Sequence, residues 1–189
     1  MDEGAAVAVQ IGRQPRSEVL VVARSHLGLP VVTRVPPILD DGTPFPTLYW
    51  LGCPLAAARV SSLESRGGVR TADAMLESDP DLRAAQERAM QRYRRHRDEL
   101  LPEGHEGPAP SGGIGGGGAG VKCLHAHYAD HAAGNDDPIG AWAAEWVEPL
   151  DCTDPCVIQI GGVVVANPRW KAPTPRWAYP SGSAHAPPS

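Results

Sequence analysis

From Gly112 to Gly120 seven of nine residues are glycine, and no regular helix or strand is expected to run through such a stretch. Glycine loses more backbone freedom on ordering than any other residue and brings no side chain to a core. Pro102, Pro108 and Pro110 precede the run and withhold further backbone donors. The chain must therefore loop between 102 and 120, and its fold has to be assembled from the segments on either side. A second stretch, 167–189, is Pro-rich and is expected to be a disordered tail. The sequence holds 21 Gly and 20 Pro in 189 residues, well above the ordinary combined share of about 12%. With the excess concentrated in these stretches, residues 1–166 are expected to form one globular domain.

Within that domain the apolar runs change character along the chain. Residues 4–11 suit a short helix ended by Gly12 and Pro15. Val19-Leu20-Val21-Val22 and Val31-Val32-Thr33-Arg34-Val35 are short apolar runs typical of strands, and Thr47 to Leu51 is a third. Asp40-Asp41-Gly42-Thr43-Pro44 separates the last two as a turn. Helical signals follow. Pro54 suits a first helical position and puts Cys53 at an N-cap, with the helix reaching about Ser65. A short helix is expected over 71–77. Asp79-Pro80-Asp81 starts a long one through about Leu100, with Leu82, Ala85, Ala89, Tyr93 and His96 on one face.

After the glycine run a helix is expected over 121–133, closed by Gly134-Asn135. Asp137-Pro138 repeats the start signal, placing Trp142 and Trp146 on one face of the helix that follows. Val157 to Ile160 and Val163 to Ala166 flank Gly161-Gly162 as a β-hairpin. The predicted class is α+β. A small antiparallel sheet at about 18–52 is packed by several helices, with a C-terminal hairpin.

Charge narrows the functions. The net charge is −5 and the pI about 5.8, whereas a general nucleic-acid binder more often carries a basic domain. No stretch approaches the roughly 20 apolar residues of a membrane helix. The start Met1-Asp2-Glu3-Gly4 is acidic where a signal peptide would be basic. The expected location is the cytoplasm, where thiols stay reduced. Cys53, Cys123, Cys152 and Cys156 then read as buried thiols, metal ligands or reactive groups.

The chemistry concentrates between Gly112 and His131. A glycine loop feeding a helix N-terminus offers free amides and a dipole to an anion, which makes Gly116, Gly117, Gly118, Gly120 and Lys122 candidate anion-binding residues. A flexible linker has the same composition. Cys123, near the helix start, is a candidate nucleophile, with His125 and His127 as local candidates for its base, although free cysteine is also among the most buried residue types. Cys123, His127 and His131 recur at four-residue steps along one predicted helix face. With Cys53 from another helix, Cys123 and His127 make a candidate tetrahedral zinc site whose fourth ligand is His131 or a water. Histidines packed around a core helix are the bland alternative. Cys152-Thr-Asp-Pro-Cys156 is a second thiol pair, in a turn. Arg92, Arg94, Arg95 and Arg97 read as a solvated helix face.

Three blocks carry a resemblance: Asp41-Gly-Thr-Pro-Phe-Pro-Thr-Leu-Tyr-Trp-Leu-Gly-Cys-Pro54, Gly120-Val-Lys-Cys-Leu-His-Ala-His-Tyr-Ala-Asp-His131 and Asp137-Pro-Ile-Gly140. Over about Val7 to Cys156 the chain resembles the actinobacterial domain-of-unknown-function family numbered 501. The resemblance implies no defined chemistry. Genes of that family often neighbour those for a septum-formation initiator protein, enolase and an exopolyphosphatase-like enzyme, which favours a phosphate-bearing ligand or a cell-division partner. Many members carry Cys-Pro-Cys where this chain has Ser25-His26-Leu27. Three functions stay open on the sequence. They are a metal- or anion-binding module, a hydrolase or transferase acting on a phosphorylated small molecule, and a non-enzymatic interaction protein linked to cell division.

Overall fold

Local capping chemistry sets three of the helix starts among the described residues. In the computed structural model, which describes residues 1–118 and 120–173, helix α1 (Glu3–Ile11) begins where the Asp2 carboxylate accepts the Ala5 amide and ends at Gly12 in the left-handed region. Helix α2 (Pro54–Ser65) has Cys53 as N-cap and proline in its first turn. Helix α3 (Gly68–Ser78) follows at once, because Gly67, at φ 90°, turns the chain without a break. It is longer than the 71–77 expected. Helix α4 (Pro80–Asp98) starts where Asp79 Oδ1 accepts the amides of Asp81 and Leu82. Helix α5 (Leu124–Ala132) and helix α6 (Pro138–Val147) complete the set, with the Asp137 carboxylate capping α6 through the Gly140 amide.

The three N-terminal runs form the expected antiparallel sheet. Its order is β1 (Leu20–Arg24), β2 (Pro30–Arg34), β3 (Tyr49–Leu51). β2 is central, pairing Val21 with Thr33 on one side and Thr33 with Trp50 on the other. Pro30 lacks an amide proton, and it stands at the first position of β2, where the ladder tolerates it. Strands β4 (Val157–Ile160) and β5 (Val163–Ala166) make the C-terminal hairpin, with Gly161 and Gly162 both at positive φ. The α+β class stands.

Two apolar clusters hold these elements. The larger one unites the sheet, α2 to α6 and Ile114, with Leu55, Leu63, Tyr93, Leu124, Tyr128 and Ile139 fully enclosed. The smaller one joins Ala6 of α1 to Val157 and Val164 of the hairpin. Trp142 is buried and Trp146 packs against the larger cluster. Trp170 also packs there, and the Asn167 amide donates to Cys156 O, so residues 167–170 are tied to the body and are not the start of a loose tail. Trp177 and the rest of 174–189 lie outside the described residues. Among the described residues no helix is long and apolar enough to cross a membrane.

The buried face of α4 departs from the expected stripe. Ala89 and Tyr93 are buried as expected, but Gln86, Met90 and Arg97 join them in place of Leu82, Ala85 and His96. Arg97 is 2% exposed because its guanidinium is consumed, with Nη1 donating to Gly112 O at 2.7 Å and Nε facing Asp98. The basic cluster of α4 is thus not wholly a solvated face. Arg97 pins the start of the glycine loop, and Arg92 reaches Asp130.

Candidate metal centre

The glycine run folds into a packed turn. Ile114–Gly116 form a single 3-10 turn whose Ile114 side chain is fully buried. The Gly113 amide donates to Gly117 O, Gly116 to Gly113 O and Gly117 to Ile114 O. The Ile114 amide points at Met90 Sδ. Two of the candidate anion-binding amides, Gly116 and Gly117, are therefore spent within the turn. Gly115, at φ 65°, brings the backbone so close that a β-carbon there would sit 3.4 Å from Cys123 Cβ and from Ala126 Cβ. Lys122 is exposed, and its Nζ lies 3.6 Å from where Gly116 would carry a β-carbon.

Carboxylates from this chain cap two amides that follow the glycine run. Asp73 Oδ1 accepts the Val121 amide at 2.8 Å, and Glu64 Oε1 accepts the Leu124 amide at 2.6 Å. The second is the first helical amide of α5, an unpaired donor at the positive end of the helix dipole.

Glu64 does more than cap. Its Oε2 lies 3.2 Å from His125 Nδ1. The other ring nitrogen, His125 Nε2, sits 3.2 Å from Ala57 O and 3.1 Å from Ser61 Oγ. A carbonyl only accepts, so these partners assign the proton to Nε2. In neutral His125 the Nδ1 lone pair then faces Glu64. One nitrogen, one sulfur and one oxygen, from His125, Cys123 and Glu64, all lie within 4.8 Å of one another. Three electron-pair donors this close together repel unless a proton or a cation sits among them.

The electrostatics agree. Burial pushes the Cys123 thiol up, yet its hydrogen bond with His125 and the Ala126 amide more than offset that, and it ends below its ordinary value. His125 is raised, first by Cys123 and then, against burial, by Glu64. Cys123 and His125 line an open cleft of about 310 Å³ with Thr47, Tyr49, Trp50, Leu51, Gly115 and Ala126. One wall is β3 and the other is the glycine turn with the start of α5.

The zinc set expected from spacing is not gathered in one place. Among the described residues the converging group of three is Glu64, Cys123 and His125, and Cys53, His127 and His131 stand outside it. Spacing by four residues aligns side chains only where both positions are helical. Cys123 is the N-cap of α5, extended at φ −155° and ψ 117°, so its sulfur leaves the helical phase. His127 is fully buried, with Nδ1 2.8 Å from Asp137 Oδ2 and Nε2 enclosed without a partner among the described residues. His131 lines a different cavity of about 660 Å³, beside His26 and Glu148. Cys53 is buried at the N-cap of α2, and burial pushes its thiol up to about 11, with Cys156 and Cys152 adding to the rise.

Sequence reasoning missed Glu64. Its partner amide is 60 positions away, beyond any local pattern. A faint signal existed. Glu64 sits in the last turn of α2, where the dipole disfavours a negative charge.

Comparison with known proteins bears on the whole arrangement. No curated protein and no solved structure matches the chain. The family described as a protein of unknown function, DUF501, matches residues 21–145, a span that holds the sheet, Glu64, the glycine turn, Cys123 and His125. Since that span covers about two thirds of the 189 residues, the chain belongs to the DUF501 family.

Proposed function

We propose that this chain binds a divalent transition metal, zinc by donor chemistry, through Glu64, Cys123 and His125, with the remaining coordination position open to the cleft. The carrying observation is the convergence of one carboxylate oxygen, one thiol sulfur and one imidazole nitrogen within 4.8 Å. Two ligands bonded to zinc at tetrahedral angles stand about 3.3 Å apart, and Glu64 Oε2 and His125 Nδ1 stand 3.2 Å apart. The Nε2 contact with Ala57 O is the outer support that metal-binding histidines use to fix tautomer and orientation. Three protein ligands with an open position is the pattern of catalytic zinc, which supplies a Lewis acid and an activated water. Tyr49, Trp50 and Leu51 offer a substrate an apolar wall. Lys122, beside Gly116, is the cation that would meet a phosphate-bearing ligand at the adjoining turn.

The test is elemental analysis of the purified protein after incubation with zinc and desalting. The expected result is about one zinc per chain, lost in Cys123→Ser and His125→Ala and kept in Cys53→Ser and His127→Ala. No zinc in the wild type, or zinc that survives both Cys123→Ser and His125→Ala, would overturn the reading. The mutual Cys123–His125 perturbation favours a second reading, in which a proton holds the place of the metal. Cys123 is then a thiolate nucleophile, His125 its base and Glu64 the group that orients His125. Metal-free wild type with a single fast-reacting thiol at Cys123 would favour it.

A further inference from the structure

On the far side of Trp50 from the metal cleft lies a second, smaller pocket, between α1, the segment 13–19 and the sheet. Its walls are mostly apolar, with Val7, Val19, Leu39 and Phe45 among them, and it encloses about 70 Å³. Taking roughly 10–15 Å³ for each water-sized sphere, a space of that size takes about five heavy atoms, enough for most of a short hydrocarbon chain whose head group stays at the rim.

Three arginines, Arg13, Arg16 and Arg34, are among the residues that line the same pocket. Of these, only Arg16 has a carboxylate partner among the described residues. Arg16 pairs with Asp41 at 2.6 Å and holds that carboxyl well below its usual range. Arg13 lies over the Trp50 ring, 5.5 Å from its centroid, a contact that positions the cation and leaves its charge uncompensated. Arg34 ends β2 and has no carboxylate within ion-pair distance among the described residues. Glu18 is the single acid in the lining, and it too is unpaired among the described residues. Arg13 and Arg34 therefore leave the pocket locally positive in a chain whose net charge is −5.

An apolar cavity rimmed by unneutralised guanidinium groups selects for two properties at once. The walls reward a ligand's hydrocarbon, and the arginines reward a planar or tetrahedral anion with charge-assisted hydrogen bonds. We propose that this pocket binds a small amphiphilic anion, a body of a few carbons carrying a carboxylate or phosphate head. The site stands apart from Glu64, Cys123 and His125 and does not depend on metal there.

Calorimetric titration of the full chain with hexanoate, hexyl phosphate, hexanol and inorganic phosphate tests the assignment. At least one of the two amphiphilic anions should bind about tenfold or more tightly than hexanol and than inorganic phosphate, the difference one charge-assisted hydrogen bond supplies. The comparison of hexanoate with hexyl phosphate identifies the head group. Arg34→Gln should weaken that anion about tenfold, Glu18→Gln should tighten it, and Cys123→Ser should leave it unchanged. Arg34 and Glu18 are not core residues, so circular dichroism should show both variants folded. Hexanol binding as well as hexanoate and hexyl phosphate, no binding of either anion at millimolar concentration, or indifference to Arg34→Gln in a folded variant would each overturn the proposal.

Discussion

Two thiols that the sequence treats alike differ in chemistry. Cys53 and Cys123 both stand at helix N-caps. Burial lifts Cys53 to about 11, while His125 holds Cys123 below its ordinary value. Alkylation of metal-free protein near neutral pH should therefore label Cys123 first and Cys53 last, and mass spectrometry of a time course reads the order. Loading with zinc should protect Cys123. Deeper in the core, Arg92 meets Asp130 with two hydrogen bonds, and the Asp130 side chain is wholly buried. Burial is the largest influence on Asp130 and raises its pKa above 3.8 despite Arg92. A carboxyl raised in the folded state holds its proton more tightly there than in the unfolded chain. Its contribution to stability is complete below 3.8 and is lost as pH rises through the folded value. Arg92→Met removes the opposing influence and raises the group further. The variant should lose about 3–5 kcal/mol near neutral pH, where a buried charge is left unpaired. The loss should shrink as pH falls through the raised pKa, as urea titrations at several pH values would show.

At the scale of elements, α5 packs closely against α6. Gly140 makes it possible. A β-carbon there would fall 2.2 Å from His127 O and 2.6 Å from His131 Cβ. The first of these is backbone and cannot step aside, so Gly140→Ala must push the helices apart. The expected cost is at or above the upper end of the roughly 1–3 kcal/mol typical of overpacked cores, measured as a drop in Tm. The glycine turn shows the same logic in a loop. Its glycines are used to bring backbone against Cys123, and its amides answer its own carbonyls. Helix starts were legible where the cap is a local event, and were not at α3 and α5, which have no local side-chain cap. Asp79-Pro80 and Asp137-Pro138 act within one turn of chain, and both helices begin where expected. The end of α4 was harder to read, because choosing Arg97 over His96 for the core depends on a carbonyl at Gly112.

For the molecule as a whole, the two apolar clusters divide the chain unevenly. The family match at 21–145 holds most of the larger cluster, and α1 with the hairpin, which build the smaller one, lies outside it. The smaller cluster rests on three buried residues and leaves Ile160 and Val163 exposed at 60% and 63%. Native-state hydrogen exchange should therefore find the amides of β4 and β5 opening at lower free energy than those of Tyr128 and Ala129 in α5. Equal protection would show a single cooperative unit. What the sequence by itself determined was whatever acts over a few residues. That includes the α+β class, the three-stranded sheet, the hairpin and the helix starts with local caps. The tertiary structure alone decided the third member of the site. Glu64 reaches Leu124 and His125 because α2 packs beside α5. It also took Cys123 out of phase with His127, since an N-cap residue keeps extended dihedrals and its side chain does not follow the helix. Metal geometry is a property of atoms within a few ångströms, and residues some 60 positions apart in sequence enter that range only through packing.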